Sequence, residues 1–404
     1  MIIYPNRVLI FFILFFVFFP YVFPLKILTS DLTPWILILS IIYLIFNPGI
    51  SKKIDFRHLF VYFLAFIFAF FGLFLSDGSL LEIQKIRALY PYLMIPFVLL
   101  AMGDIFESEK NIVFFRKIFF YLSLATFLII FIQATVNQQL FAFLAGGVRT
   151  SIERGVTGLH KEPSIFAASL VFLYMISSLI TIKWKIFIHI AILVSVFLLV
   201  KSVVGIIYLL IFILSGFFFR NPLIFLSFIL LLILVSFFYT LDIAYSEGWR
   251  ITRIIEIVQK DSNLTALLSN DASTHDRFSQ IYFSIMGFFT NNGMPHFYLE
   301  WQNYLQEAVK GFGWVREEVV WLSKSERVFS GYGGALFELG FMGLVYIVLP
   351  IYLIFKNLDT PSKRWSHSIA LTSMMFSAIP LSFPPYLLYL ALIANFKKNI
   401  NKLN

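Results

Sequence analysis

Three short stretches concentrate the residue types that do chemistry, in a chain otherwise dominated by apolar side chains. The densest runs from Arg149 through Glu153, Arg154, Gly155, Gly158, His160, Lys161 and Glu162 to Pro163 and Ser164. Two arginines and a lysine so close together suit an anion, because guanidinium groups offer paired donors that match phosphate oxygens. Gly155 and Gly158 let the backbone bend around such a ligand. Pro163 fits the first turn of a helix, whose positive end stabilises Glu162 as a carboxylate. The plainer reading of the same residues is a helix entry whose basic side chains snorkel to a membrane interface.

The second stretch holds Asp271, Ser273, Thr274, His275, Asp276 and Arg277 ahead of an amphipathic segment. Ser273 or Thr274, with Asp276 close behind, reads as a helix N-cap. Capping leaves Arg277 unexplained, since a helix's first turn disfavours a cation unless an anion lies nearby. His275 is a weaker candidate. The third stretch, Ser330 to Gly343, contains Gly331, Gly333, Gly334, Glu338 and Gly340. Its small residues allow close helix contact, whereas Glu338, about one turn into an apolar segment, needs a partner or a wet cavity. Lys201, Ser202 and Arg87 stand at similar interfacial positions. With no cysteine and no H-x-x-x-H pair among six histidines, disulfides and thiolate metal sites are excluded; metal chemistry has no support and no cofactor is implied.

The elements that must position these residues are transmembrane helices. Apolar residues make up 60% of the 404, only 13% are charged, and the mean hydropathy is +0.87, outside the range of a water-soluble domain. Runs such as Leu223 to Tyr239 do not alternate, so an outer-membrane barrel is excluded in favour of one all-α polytopic bundle covering residues 1–404. The first apolar run lacks a small-residue cleavage site and counts as a span. The expected spans are 8–25, 33–50, 58–76, 88–103, 112–135, 163–182, 185–200, 203–219, 222–241, 332–355, 366–381 and 384–396. Lys185 to Phe219 is long enough for one overlong span or two short ones. Lys201 favours two, because a lysine is costly in mid-bilayer and tolerable at a turn. The 51 phenylalanines read as lipid-facing and packing filler.

Charge orients the bundle, since cytoplasmic loops are enriched in Lys and Arg. With both termini cytoplasmic, 16 of the 31 basic residues fall inside together with only five of the 22 acidic ones. The net charge of +9 is spread between apolar segments, which marks topology rather than nucleic-acid binding. Two substantial segments then face outward, residues 137–162 and 242–330. The longer one carries amphipathic pieces at Arg253 to Val258 and Arg277 to Phe289, with Tyr298, Trp301, Tyr304, Trp314 and Trp321. Such aromatics fit helices lying on the membrane surface or capping a cavity.

The run R-G-V-T-G-L-H-K-E-P-S-I-F-A, from Arg154 to Ala167, with Arg149 ahead of it, resembles the R-x-T-G-x-x-x-E-P-S-x-x-A pattern of bacterial O-antigen and capsule polymerases of the Wzy type. Asp271, Ser273 and Arg277 are similar to that family's D-x-S-x-x-x-R stretch, and Glu338, Gly340 and Gly343 to its glycine-rich helix opening. The chain departs from the family in lacking spaced arginine-glycine repeats. Tyr332 and Gly333 stand where related ligases begin with His-Asn. The resemblance implies a GT-C-like glycosyltransferase in the bacterial cytoplasmic membrane, independent of metal. It would move a growing glycan from undecaprenyl diphosphate to the sugar hydroxyl of a new lipid-linked repeat unit on the outer face.

It further implies Arg149, Arg154 and Arg277 as diphosphate ligands, with Lys161 and Lys201 as weaker ones. Glu162 or His275 would take the attacking hydroxyl's proton, and Glu338 joins them as a catalytic candidate. The outer-loop tryptophans could stack on sugar rings. Expected partners are the lipid-linked oligosaccharide, membrane lipid, a chain-length regulator and a repeat-unit flippase. Competing expectations are an O-antigen ligase, which hands finished glycan to lipid A-core, and a transporter or flippase. The latter predicts deep ionisable residues and related halves, neither of which is prominent here.

Overall fold

A chain this apolar has to satisfy its backbone groups internally, and helices do so within each segment. The computed structural model describes residues 5–23, 34–47, 56–76, 82–146, 155–180, 182, 184–223, 272–311, 328–377 and 379–403. Every regular element among them is helical. In chain order these are α1 (Pro5–Phe18), α2 (Trp35–Phe46), α3 (Phe56–Leu75), α4 (Ile83–Glu107), α5 (Glu109–Thr135), α6 (Pro163–Leu179), α7 (Lys185–Val194) and α8 (Val203–Arg220). After a gap in the description come α9 (Ala272–Thr290), α10 (Glu300–Ala308), α11 (Gly331–Leu339), α12 (Val345–Asn357), α13 (Pro361–Phe376) and α14 (Pro384–Leu403).

Among the described residues, five helical runs are long and apolar enough to cross a membrane: Arg57–Leu75, Ile83–Glu107, Glu109–Thr135, Val203–Arg220 and Gly331–Asn357. Shorter apolar helices accompany them at Asn6–Phe18, Trp35–Phe46, Pro163–Leu179, Lys185–Leu199 and Pro384–Phe396. The protein is therefore a helical membrane protein. The expected span at 222–241 lies outside the described residues but for its start. Large apolar side chains such as Phe60, Phe71, Phe74, Phe131 and Ile186 stand exposed on the helices, as lipid-facing filler should.

Polar contacts at the helix ends sort into two faces, because each end must find partners among ends at the same height. On one face Asn6 donates to Asn47 at 2.7 Å, Tyr43 to Asp104 at 2.8 Å and Lys356 to His58 at 3.1 Å. On the other, Trp35 donates to the Phe23 carbonyl at 2.8 Å, Lys85 to that of Ser76 at 2.9 Å and the Val156 amide to that of Leu199 at 3.1 Å. Successive long helices thus alternate in direction.

The stretch from Lys185 to Phe219 follows this rule as two helices. Lys185 lies within electrostatic range of Lys363, and the Gly216 carbonyl accepts from Ser362 at 2.6 Å, so both ends reach the same face. The chain reverses between them at Lys201, which takes a positive φ of 50°. α7 ends in a π turn at Ser195–Leu199.

Two breaks in regularity matter for the site. The run from Gly331 to Asn357, expected as an unbroken span, tightens to a 3-10 turn at Gly340–Leu344. Gly340 has φ +57° there, and a Cβ on it would strike the backbone of Gly293 to Pro295, so this glycine serves a close approach by the segment that follows α9. Ser273 and Thr274 are themselves helical in α9 rather than at a non-helical cap. One large apolar core unites the bundle, while Phe283, Trp301, Leu305, Val328 and Phe337 form a second, smaller core under α9 and α10.

Candidate functional site

The loop that leads into α6 is folded by the residues that made it look like a motif. Gly155 has φ +79°, and a side chain there would collide with the Leu199 and Val200 carbonyls. The loop can therefore lie flat on the turn that carries Lys201, with the Val156 amide donating to Leu199. Gln133 on α5 reads the next bend, its side-chain oxygen accepting from the Gly158 amide at 2.9 Å and its amide donating to the Leu140 carbonyl at 2.8 Å.

His160 is fully buried between the Tyr21 and Phe166 rings. Its Nδ1 meets the Gly158 carbonyl at 3.2 Å, an atom that can only accept, so Nδ1 carries the proton and Nε2 accepts from the Ser169 hydroxyl at 2.7 Å. Burial pulls this imidazole down to about 4, which keeps it neutral. His160 is thus a structural pin.

Lys161 and Glu162 emerge half-buried from this anchored loop. The Lys161 ammonium lies 5.7 Å from the centre of the Tyr21 ring. Glu162 occupies the N-cap position of α6, with Pro163 at the first helical position. The Ser164 hydroxyl stands 3.5 Å from one of its carboxylate oxygens.

Residues of α9, from the other polar segment, lie within electrostatic range of Glu162. Asp276 and Arg277 are half-buried. Burial pushes the Asp276 carboxyl up; the neighbouring Gln280 amide and Arg277 guanidinium ease this, and the negative charge of Glu162 pushes it further up. Arg277 also lies in electrostatic range of the Tyr208 hydroxyl on α8, beside Ser377 at the end of α13. The charges act on one another pairwise, Glu162 on Asp276 and Arg277 on both Asp276 and Tyr208, and so mark one polar spot drawn from α8, α9 and the entry to α6. Such a spot can hold an anion and accept a proton.

Of the site residues expected from the sequence, Glu162 and Arg277 each lie within electrostatic range of Asp276, and Lys161 is next in chain to Glu162. Lys201 occupies the turn against which Gly155 packs. Arg149 and Arg154, like Asp271, Trp314 and Trp321, lie outside the described residues. Glu338 stands apart from that spot: it is 4% exposed and accepts from the Tyr92 hydroxyl at 2.6 Å.

His275 is fully buried on the face of α9 that also buries Ser279 and Phe283, away from the half-buried edge where Asp276 and Arg277 stand. Trp301 is 2% exposed and edge-on to Phe337 with centroids 4.9 Å apart, leaving no ring face for a sugar. Tyr298 is likewise packed, donating to the Ala69 carbonyl at 2.8 Å.

Sequence reasoning passed over Asp276 as anything but a cap, and missed Gln133, Tyr208 and Ser377. Gln133 did carry a signal, as an amide inside an otherwise apolar run; the other two did not. Among the described residues no three His, Cys, Asp or Glu side chains gather as a metal site. No protein-family model matches the chain, and no curated protein matches it.

Proposed function

We propose that this protein is a glycan polymerase of the bacterial cytoplasmic membrane. It would transfer a growing chain from undecaprenyl diphosphate to a lipid-linked repeat unit on the outer face, with both termini in the cytoplasm and twelve spans in all. The observation that supports this reading is that Asp276, on α9, lies within electrostatic range both of Glu162, at the head of α6, and of its neighbour Arg277. Two segments far apart in sequence supply acid, acid and cation, with Lys161 adjacent in chain to Glu162.

The chemistry follows from the charges. The acceptor's sugar hydroxyl attacks the anomeric carbon and a new glycosidic bond forms, while the bond from that carbon to the diphosphate oxygen breaks. Undecaprenyl diphosphate departs with the bonding electron pair. Arg277, helped by Lys161, Lys201 and the sequence-expected Arg149 and Arg154, stabilises the charge that builds on the leaving oxygen. Glu162 or Asp276 takes the hydroxyl proton. A carboxyl whose affinity for protons is raised by burial and a neighbouring acid is the better base near neutral pH, so Asp276 replaces His275 in that role.

The test is elongation by purified protein in detergent, given lipid-linked repeats and no ion gradient. Polymer from the wild type and none from R277A made at equal levels is the expected result. Single repeats left unjoined by the wild type, under conditions where a known polymerase works, contradict it. In a deletion strain, core plus one repeat marks a polymerase, and bare core marks a ligase instead.

A further inference from the structure

The bundle interior holds a second polar feature that the transfer site does not use. Six tyrosines are fully or almost fully buried close together: Tyr62 on α3, Tyr92 on α4, Tyr332 on α11, Tyr346 on α12, and Tyr386 and Tyr389 on α14. The Tyr346 ring lies 5.7 Å from that of Tyr62 and 5.2 Å from that of Tyr92. Tyr386 stands within electrostatic range of Tyr62, Tyr332, Tyr346 and Tyr389.

Two members have protein partners: Tyr92 donates to Glu338 at 2.6 Å, and the Tyr389 hydroxyl meets His367 Nδ1 at 3.0 Å. The hydroxyls of Tyr62 and Tyr346 are buried without a hydrogen bond to any protein group, and those of Tyr332 and Tyr386, close enough to share one, do not form it with good geometry. Phenylalanine is the usual filler of this chain, with 51 copies against 19 tyrosines. Four phenols in one dry spot would each forfeit hydrogen bonds that Phe would not need. Buried hydroxyls that converge without protein partners are what internal water bridges.

We infer that Tyr62, Tyr332, Tyr346 and Tyr386 bind an ordered water cluster inside the bundle, which joins the Tyr92–Glu338 pair to the Tyr389–His367 pair in one hydrogen-bonded file. The file continues past His367, whose Nε2 meets the Ser178 hydroxyl at 3.3 Å. Its members come from α3, α4, α6, α11, α12, α13 and α14, so the water ties together helices far apart in the chain. This inference is independent of the transfer reaction.

The test takes the full chain in detergent as Y62F, Y346F, Y386F and the Y346F/Y386F double variant. Removing a water-bonded hydroxyl costs stability, whereas removing a dry, unpaired one does not. Each single variant is expected to lower Tm, and the double to lower it by less than the two singles together, since both hydroxyls share one cluster. Melting at or above the wild-type temperature in all three singles overturns the inference.

A measurement on the unmodified protein guards against variants that fail to fold. X-ray hydroxyl-radical footprinting generates radicals from bound water, so Tyr62, Tyr346 and Tyr386 should label faster than Tyr43 and Tyr298. Those two are equally buried, but their hydroxyls are held by Asp104 and Ala69. Labelling no faster than at Tyr43 and Tyr298 overturns it as well.

Discussion

Glu162 and Glu338 invite comparison, because each belongs to a glycine-containing stretch at a helix opening and each looks, as a letter in the sequence, like a carboxylate placed for chemistry. The fold treats them in opposite ways. Glu162 stays half-buried at the N-cap of α6, within electrostatic range of Asp276 on a distant segment. Glu338 is 4% exposed and held by Tyr92. The lesson is that a carboxylate is available for proton transfer or ligand contact only where the packing leaves it an open side. The glycines around each do different work too: Gly155 lets one loop lie on a neighbouring turn, and Gly340 lets another approach a helix break.

The largest effect that sharpens this contrast is expected at Arg277. R277A should lower polymer formation on the order of 10²-fold or more without lowering protein level, the usual scale for removing one group that stabilises leaving-group charge; gel analysis of the product with quantified protein checks it. D276N should come next, at about 10²-fold, as expected for loss of a general base. The pH profile then ties Asp276 to Glu162. Activity should fall as pH drops and Asp276 takes up its proton, at a pH above the ordinary aspartate range. E162Q removes a negative neighbour that holds the proton on, so it should move that acidic limb to lower pH.

Stability effects are smaller and separate the pinned half of the loop from its charged half. His160 is held near 4 when folded against an ordinary value of 6.5, so its neutral form is favoured by folding. That contribution is complete above about pH 6.5 and lost as pH falls toward 4. The wild-type Tm in detergent should drop between pH 7 and 4.5, and H160Q should flatten that drop. The smallest expected effect is at Glu338: E338Q keeps an oxygen for Tyr92 to donate to, so it should cost about 1–3 kcal/mol or less. It should also leave the pH profile of polymer formation in place. An E338Q loss as large as that of R277A would erase the distinction between the two glutamates.

The helices were legible in the sequence because the bilayer demands long apolar runs, and the helices found fall where those runs are. Even the reversal at Lys201 could be read, since a lysine has no place in mid-span and the turn gives it one. Boundaries were less legible: Pro361 starts α13 earlier than apolarity implies, since Thr360 caps it with its side chain.

At the candidate site the sequence revealed residue types but not burial. His275 and Asp276 are neighbours on one helix turn, and only packing decides that the histidine goes under and the aspartate stays at the edge. Likewise nothing in local spacing tells that Trp301 fills a core against Phe337.

The central claim is that the loop before α6 and the first turn of α9 meet, and the absence of cysteine from the chain makes it directly measurable. The double variant E162C/D276C, treated in membranes with a short bifunctional thiol reagent, should become cross-linked within one molecule, and loss of labelling by a maleimide reporter would register it. If both positions remain independently labelled while a control pair at Ser76 and Tyr298, joined here by a 3.1 Å hydrogen bond, is cross-linked, the two segments do not meet and the site assembled from them does not exist.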